Sequence, residues 1–331
     1  MHKLTVGLLA AIALLSTVAA TPAVAKPRGV NGQIVFGRDK SLDEHVQHAL
    51  YTINPDGSHE RQLLPFGALG SPEGRWSSDG SWIVADGTAT GDAALIVDPD
   101  TGRTDRTLPN PDPATFAPFA CGIPSPDFER LACPGFDVTE DWPSRNGIYT
   151  VRTSDGGGLQ RLTSDTYEDA PGDYSPDGKR LVYAHVGLAP PDSVGLYVLK
   201  TNRTGTRKIA PCCPSAGSWS PQGNDIVFSS SPPGFRFHSK IWVVHSDGSG
   251  LHEIHVAGCD GGPRTDPEAR GCADAVWSPD GRKILFRLTT PGFGEGGDLY
   301  TVNPDGTGLF QVTHDGDVEF PDWGTHPLAT G

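Results

Sequence analysis

One five-residue phrase recurs along this chain. Trp277-Ser278-Pro279-Asp280-Gly281 is its cleanest copy. The others are Trp76-Ser77-Ser78-Asp79-Gly80, Ile123-Pro124-Ser125-Pro126-Asp127, Tyr174-Ser175-Pro176-Asp177-Gly178 and Trp219-Ser220-Pro221-Gln222-Gly223. Copies spaced 45 to 58 residues apart mean one supersecondary unit repeated, not a string of unrelated domains.

Each copy leads into an apolar triplet such as Ile284-Leu285-Phe286, then a loop, then a second signature. That signature reads Leu50-Tyr51-Thr52-Ile53 with Asp56-Gly57, Leu95-Ile96-Val97 with Asp100-Thr101-Gly102, and Ile148-Tyr149-Thr150-Val151 with Asp155-Gly156. It continues as Leu196-Tyr197-Val198-Leu199 with Gly205, Ile241-Trp242-Val243-Val244 with Asp247-Gly248, and Leu299-Tyr300-Thr301-Val302 with Asp305-Gly306. Asp-Gly between apolar alternations is a hairpin signal, because Gly accepts positive φ and Asp bonds its own backbone. Each unit is therefore two hairpins, or four antiparallel strands. With 42 Gly and 30 Pro, no long helix is expected.

Four-stranded units of this length are the blades of a β-propeller. Six second signatures predict an all-β, six-bladed ring. The blades are expected at 31–66, 70–110, 116–164, 168–212, 215–256 and 272–314. The first opens at Asn31-Gly32-Gln33-Ile34 without a first strand, and the missing piece stands at Glu319-Phe320-Pro321-Asp322-Trp323-Gly324. Joining 319–324 to the first blade closes the ring and hides sheet edges. The large aromatics of the phrase, Trp76, Tyr174, Trp219, Trp277 and Trp323, suit the space between blades. In the third copy Ile123 is read in the aromatic place and Phe128 in the Gly place.

Residues 1–25 read as a cleavable signal peptide: Lys3, an apolar run from Leu4 to Ala20, then Ala23-Val24-Ala25. No later stretch is long and apolar enough to span a membrane, so a soluble secreted or periplasmic monomer is expected, with 26–331 as a single domain. Removing the leader with Lys3 takes the formal net charge from −14 to −15. A surface so acidic repels nucleic acid and anionic lipid and suits cationic ligands or basic protein surfaces.

Six cysteines in an exported chain read as disulfides. Cys121 and Cys133 flank the third turn and are expected to bridge. Cys259 and Cys272 bracket a loop that a bridge would pin. Cys212 and Cys213 are adjacent, and either pair with each other or reach Cys259 or Cys272. Zinc is disfavoured: paired C-x-x-C spacing is missing, and His45, His48, His238 and His245 do not fall in zinc motifs.

Trp-Ser-Pro-Asp-Gly, an apolar triplet, a Tyr-centred strand and Asp-Gly together resemble the TolB-type propeller repeat, also seen in the propellers of dipeptidyl peptidase IV relatives. The resemblance covers Gly32 to Gly324 and implies a propeller that binds proteins or peptides. TolB carries an α/β domain before its propeller, whereas Lys26 to Val30 alone precede the first blade here. An oligopeptidase would need a G-x-S-x-G elbow and an α/β domain, and this sequence contains neither.

Sites are sought at the axis, where six first strands converge. Residues upstream of the aromatics should face it: Glu73 and Arg75, Asp169 and Asp173, Asp274, Glu319 and Asp322. Of these, Glu73, Asp169, Asp274 and Glu319 are the ligand candidates. The expected function is a non-catalytic scaffold for a protein or peptide, without a cofactor. Its contact surfaces are sought in the insertions Gly37 to Ala49, Asp137 to Asn146, Gly187 to Val194, Pro232 to Ser239 and Pro291 to Gly297, with Trp142, Phe235, Phe237 and Phe293. The alternative is a secreted lyase or hydrolase acting on a sugar or lactone, with Ca²⁺ or Mg²⁺ held by channel carboxylates.

Overall fold

The computed structural model describes residues 29–42, 45–87, 91–115, 119–136, 145–163, 168–186, 193–211, 215–231, 239–259, 268–291 and 296–330. The signal segment, Cys212, Cys213, Trp142, Phe235, Phe237, Phe293 and most of the four later insertions lie outside them.

The described residues form six four-stranded antiparallel sheets arranged as the blades of a propeller. Blade one holds β1 (Ile34–Leu42), β2 (His45–Ile53) and β3 (Arg61–Leu69). Blade two is β4 (Gly74–Trp76), β5 (Ile83–Asp86), β6 (Ala94–Val97) and β7 (Thr104–Leu108). Blade three is β8 (Ile123–Pro124), β9 (Arg130–Gly135), β10 (Gly147–Arg152) and β11 (Gln160–Arg161). Blade four is β12 (Glu168–Tyr174), β13 (Arg180–Val186), β14 (Gly195–Lys200) and β15 (Thr206–Pro211). Blade five is β16 (Ser218–Trp219), β17 (Asp225–Ser230), β18 (Lys240–His245) and β19 (His252–Ile254). Blade six is β20 (Cys272–Trp277), β21 (Ile284–Thr289), β22 (Gly297–Val302) and β23 (Phe310–Gln311). The last strand, β24 (Val318–Trp323), pairs with β1 through Ile34 opposite Trp323 and Arg38 opposite Val318, completing blade one.

The recurring phrase works as a clasp between the first two strands of a blade. In the last copy Ser278 Oγ donates to Asp280 and accepts from the Lys283 N–H, while the Gly281 N–H donates to Ser278 O. Asp280 also caps the Arg282 N–H, so one short segment satisfies its own polar groups at a tight turn.

The aromatics fill the seams between blades, where they displace water from apolar sheet faces. Trp76 packs with Val35, Leu50 and Leu64 of blade one, and Trp277 with Val227, Ile241 and Val243 of blade five. Trp323 joins blades one and six, and Trp219 joins blades four and five, where Arg180 lies 4.5 Å above its ring.

Blade three departs from the expected register. Pro124, not Ile123, pairs with Leu131 in the way Trp277 pairs with Ile284, so Pro124 occupies the aromatic place. A proline cannot fill a Trp-sized gap. The blade two–three seam is filled instead by the bonded pair Cys121–Cys133 with Phe119, Tyr149, Trp82 and Phe128. Phe128 takes the Gly place with φ 57°. Cys259 bonds Cys272, pinning the segment between blades five and six.

Candidate functional site: the axial channel

Inner strands alternate side chains between axis and sheet, so positions one and three before the aromatic share a face. The structure places both sets on the axis. Glu73, Pro171, Ala216, Asp274 and Phe320, each three residues before its aromatic, line a chamber of about 330 Å³ at the end where the inner strands begin. Blade three supplies Ala120, Gly122 and Ile123, because Cys121 is turned into the seam and bonded to Cys133. Arg75, Ile123, Asp173, Ser218 and Asp322, one residue before the aromatic place, line a narrower space of about 30 Å³ beneath it.

Two of the chamber residues are held against backbone preference. Asp274 and Phe320 have φ of 57° and 46°, in the left-handed region that side chains rarely adopt. Pairing slips at the same places, between Ala273 and Val276 and where β24 meets Val35 and Gly37. These bulges turn the side chains toward the axis.

The chamber wall has two halves. Blades two and six contribute Glu73, Arg75, Asp86 and Asp274; blades three, four and five contribute small residues such as Ala120, Ala170, Ser215 and Ala216. Burial raises the Glu73 carboxyl above the ordinary glutamate range, and nearby Asp274 and Glu319 push it the same way against the pull of Arg75. Asp86 is pushed up to about 6, first by burial and then by the charge of Glu73, although the Gly87 N–H donates to it. Asp86 ends β5 beside Glu73, its N–H bonded to Glu73 O.

The four candidate carboxylates separate. Glu73 and Asp274 line the chamber. Asp274 accepts from Arg287 Nε at 2.8 Å, and Arg287 Nη1 stands 3.8 Å from Glu319, which lies off the chamber wall. Burial raises the Glu319 carboxyl, with Arg287 opposing. Asp169 turns away and meets His185 Nδ1 at 2.6 Å, both nearly enclosed. Asp173 and Asp322 act between blades: each accepts the backbone N–H of the next blade's aromatic, Trp219 and Trp76. Asp86 and Phe320 were not anticipated. Asp86 had one sequence signal, an acidic residue closing the buried run Ile83-Val84-Ala85.

The raised Asp86 carboxyl has a consequence for stability. Its protonated form is favoured in the folded state, so the group costs nothing below the ordinary aspartate pKa. Its penalty grows as pH climbs and is complete above about 6. Asp86→Asn should therefore stabilise the protein by about 1–3 kcal/mol at pH 8 and leave its stability unchanged at pH 3.5. Urea unfolding at the two pH values checks this, and equal effects at both would contradict it.

Among the described residues, no three His, Cys, Asp or Glu side chains come close enough together to share a metal ion. In the channel, Asp274 pairs with Arg287, and Asp322 and Asp173 accept backbone N–H groups.

No protein-family profile matches this chain, and no curated protein matches it. Solved structures do. TolB from Acinetobacter baumannii superposes with a TM-score of 0.63 at 17% identity, over 88% of this chain and 66% of the TolB chain. An oligogalacturonate lyase in complex with manganese matches with a TM-score of 0.53 at 14% identity, over 81% of this chain and 73% of that one. A chain of a nidogen/laminin complex matches with a TM-score of 0.63 at 7% identity, over 89% of this chain and 100% of its own. At these identities the likeness is one of fold, and the fold is a six-bladed propeller of TolB type.

Proposed function

We propose that this chain is an exported, non-catalytic propeller that binds a protein or peptide partner over the wide end of its channel. The axial chamber carries the reading. Three carboxylates and Arg75 stand on one side of a cavity of about 330 Å³, and residues such as Ala120, Ala170, Ser215 and Ala216 on the other. Such a wall accepts the ammonium or guanidinium of a basic side chain, or an amino terminus, while its aliphatic stem lies on the small residues. The formal net charge of −14 favours the approach of a basic partner from a distance. The similar solved structures include TolB and a chain of a nidogen/laminin complex.

The lyase in complex with manganese and a puromycin hydrolase among the similar structures support the alternative, and that support is fold. The dispersed carboxylates favour an organic cation over a metal. Export through residues 1–25 and a monomeric state belong to the same proposal. The two disulfides among the described residues suit an oxidising compartment, and no described helix is long and apolar enough to cross a membrane.

The test uses the chain from residue 26 and two short peptides, one carrying a central Lys and the other Glu at the same place. Calorimetry should show binding of the Lys peptide alone. Glu73→Gln should weaken that binding at least tenfold, since among the described residues Glu73 makes no side-chain hydrogen bond whose loss would disturb the fold. Equal binding of both peptides, or an unaffected Glu73→Gln variant, would overturn the reading. Stoichiometric metal in the purified protein, lost in Asp274→Asn, would overturn the pure-scaffold reading.

A further inference from the structure

We propose that the seam between blades three and four is a ligand cleft for a carboxylate attached to an apolar body. The starting observation is a break in the ring's regularity. In five blades the turn between the third and fourth strands places Gly57, Gly102, Gly156, Gly248 or Gly306 in the left-handed region. A β-carbon at Gly57, Gly102 or Gly306 would strike a backbone carbonyl of the preceding blade, that of Val312, Leu63 or His255. One at Gly156 or Gly248 would touch Pro109 or Ile209. These turns bring bare backbone against the blade before.

Blade four does otherwise. Arg203 occupies the glycine place with φ 62°, its N–H donating to Lys200 O as the Gly57 N–H donates to Asn54 O. Gly205, two residues on, has open space around it. A cavity of about 240 Å³ lies between blade three and this turn. A bulky residue held at positive φ costs stability, and such strain persists mostly where a site requires it.

The chemistry of the cleft is mixed in an ordered way. Leu162, Leu199 and the Tyr183 ring form an apolar wall, with Leu199 and Tyr183 almost wholly buried. Thr206 stands beside it, 3.4 Å from the Tyr183 hydroxyl. Lys200 and Arg203 stand exposed at the rim, and neither side chain has an ion pair or hydrogen bond among the described residues. Asp169 closes the inner end but is held by His185, away from the rim. Two cations with no partner among the described residues, at the mouth of an apolar slot, recognise an anion whose body is apolar, and Arg203 can grip a carboxylate through two N–H groups. A peptide ending in an apolar residue and a free organic acid share this chemistry.

Arg203→Gly gives the decisive test, because it restores the turn of the other five blades and removes strain. The variant should melt at or above the temperature of the parent chain. The probes are acetyl-Ala-Ala-Phe as the free acid, the same peptide as its amide, and 3-phenylpropionate, each titrated into the chain from residue 26 and followed by NMR shifts. The free-acid peptide should bind, the amide at least tenfold more weakly, and Arg203→Gly should lose at least tenfold. Binding of 3-phenylpropionate as tight as the peptide acid assigns the cleft to free acids; much weaker binding assigns it to chain ends. Equal binding of acid and amide, no binding of either acid at millimolar concentration, or an unaffected Arg203→Gly variant would each overturn the proposal. Since the axial chamber lies elsewhere, Glu73→Gln should not alter these titrations.

Discussion

A chain ending at Asp317 should fail to form a stable ring. It lacks β24, so β1 loses the partner that pairs Ile34 with Trp323 and Arg38 with Val318. Trp323 and Val318, both buried, leave a cluster that includes Ile34, Phe36, Val276 and Leu285. The Trp323 ring N–H also surrenders its bond to Gly32 O. Losing a buried Trp alone typically costs about 3–5 kcal/mol, and an opened strand edge invites association with other chains. The sum approaches the whole stability of an ordinary domain. The expected result is an aggregated or molten product by size-exclusion chromatography and near-UV circular dichroism.

A chain ending at Gly324 is the control. It keeps β24 and loses only the terminal tail, in which His326 stacks on Trp76 at 5.3 Å and Ala329 bonds Asn54. It should stay folded and melt a few degrees lower. If the chain ending at Asp317 melts as cooperatively as this control, closure by β24 is not what holds the ring.

Arg38→Ala should be the most damaging substitution of a charged residue on that same seam. Only 6% of the Arg38 side chain is exposed, yet it reaches Glu60 and Asp315 at 2.8 and 2.9 Å and also pairs with Asp317. Its guanidinium lies 5.3 Å from the Phe36 ring centre and 5.2 Å from that of Tyr51. One side chain thus ties β1 to the segment leading into β24. Without it, three carboxylates face one another with no cation between them. Breaking a fully buried pair costs about 3–5 kcal/mol. Asp315 and Asp317 are 65% and 47% exposed, and water screens them, so about 2–3 kcal/mol is expected here.

Arg38→Lys should recover little, because an ammonium cannot serve three carboxylates and two rings with one rigid fork. Urea denaturation at low and high salt separates the contributions. The loss should shrink in high salt, where the residual carboxylate repulsion is screened. A salt-independent loss would mean that Arg38 acts only by packing its stem.

Much of this was legible in the residues. Hydrophobic alternation and Asp-Gly turns are local signals, and they specified blade count, hairpin order and the split first blade. The Cys121–Cys133 bridge was legible for the same reason, since both residues flank one turn. Counting was less secure at the axis. Glu73 and Asp274 lie three residues before their Trp and line the chamber, whereas Glu319 lies four before and Asp169 five before their aromatics, and both turn elsewhere. The bulges in the inner strands break the two-residue alternation, and a bulge leaves little trace in a sequence. Ile123 misled because it is the apolar residue nearest the missing Trp, while the Ser125 turn places Pro124 in that position.

The sequence by itself determined the unit, its repetition and its closure, because each depends on hydrogen bonds and apolar alternation within a few dozen residues. Only the tertiary structure decided which groups meet across blades. Asp173 accepts the Trp219 N–H of the next blade, Arg38 gathers carboxylates almost 280 residues away, and Arg203 stands across a cavity from blade three. Those encounters depend on the angle and distance between separate sheets. They are set by how the whole ring packs, and no local stretch of chain encodes them alone.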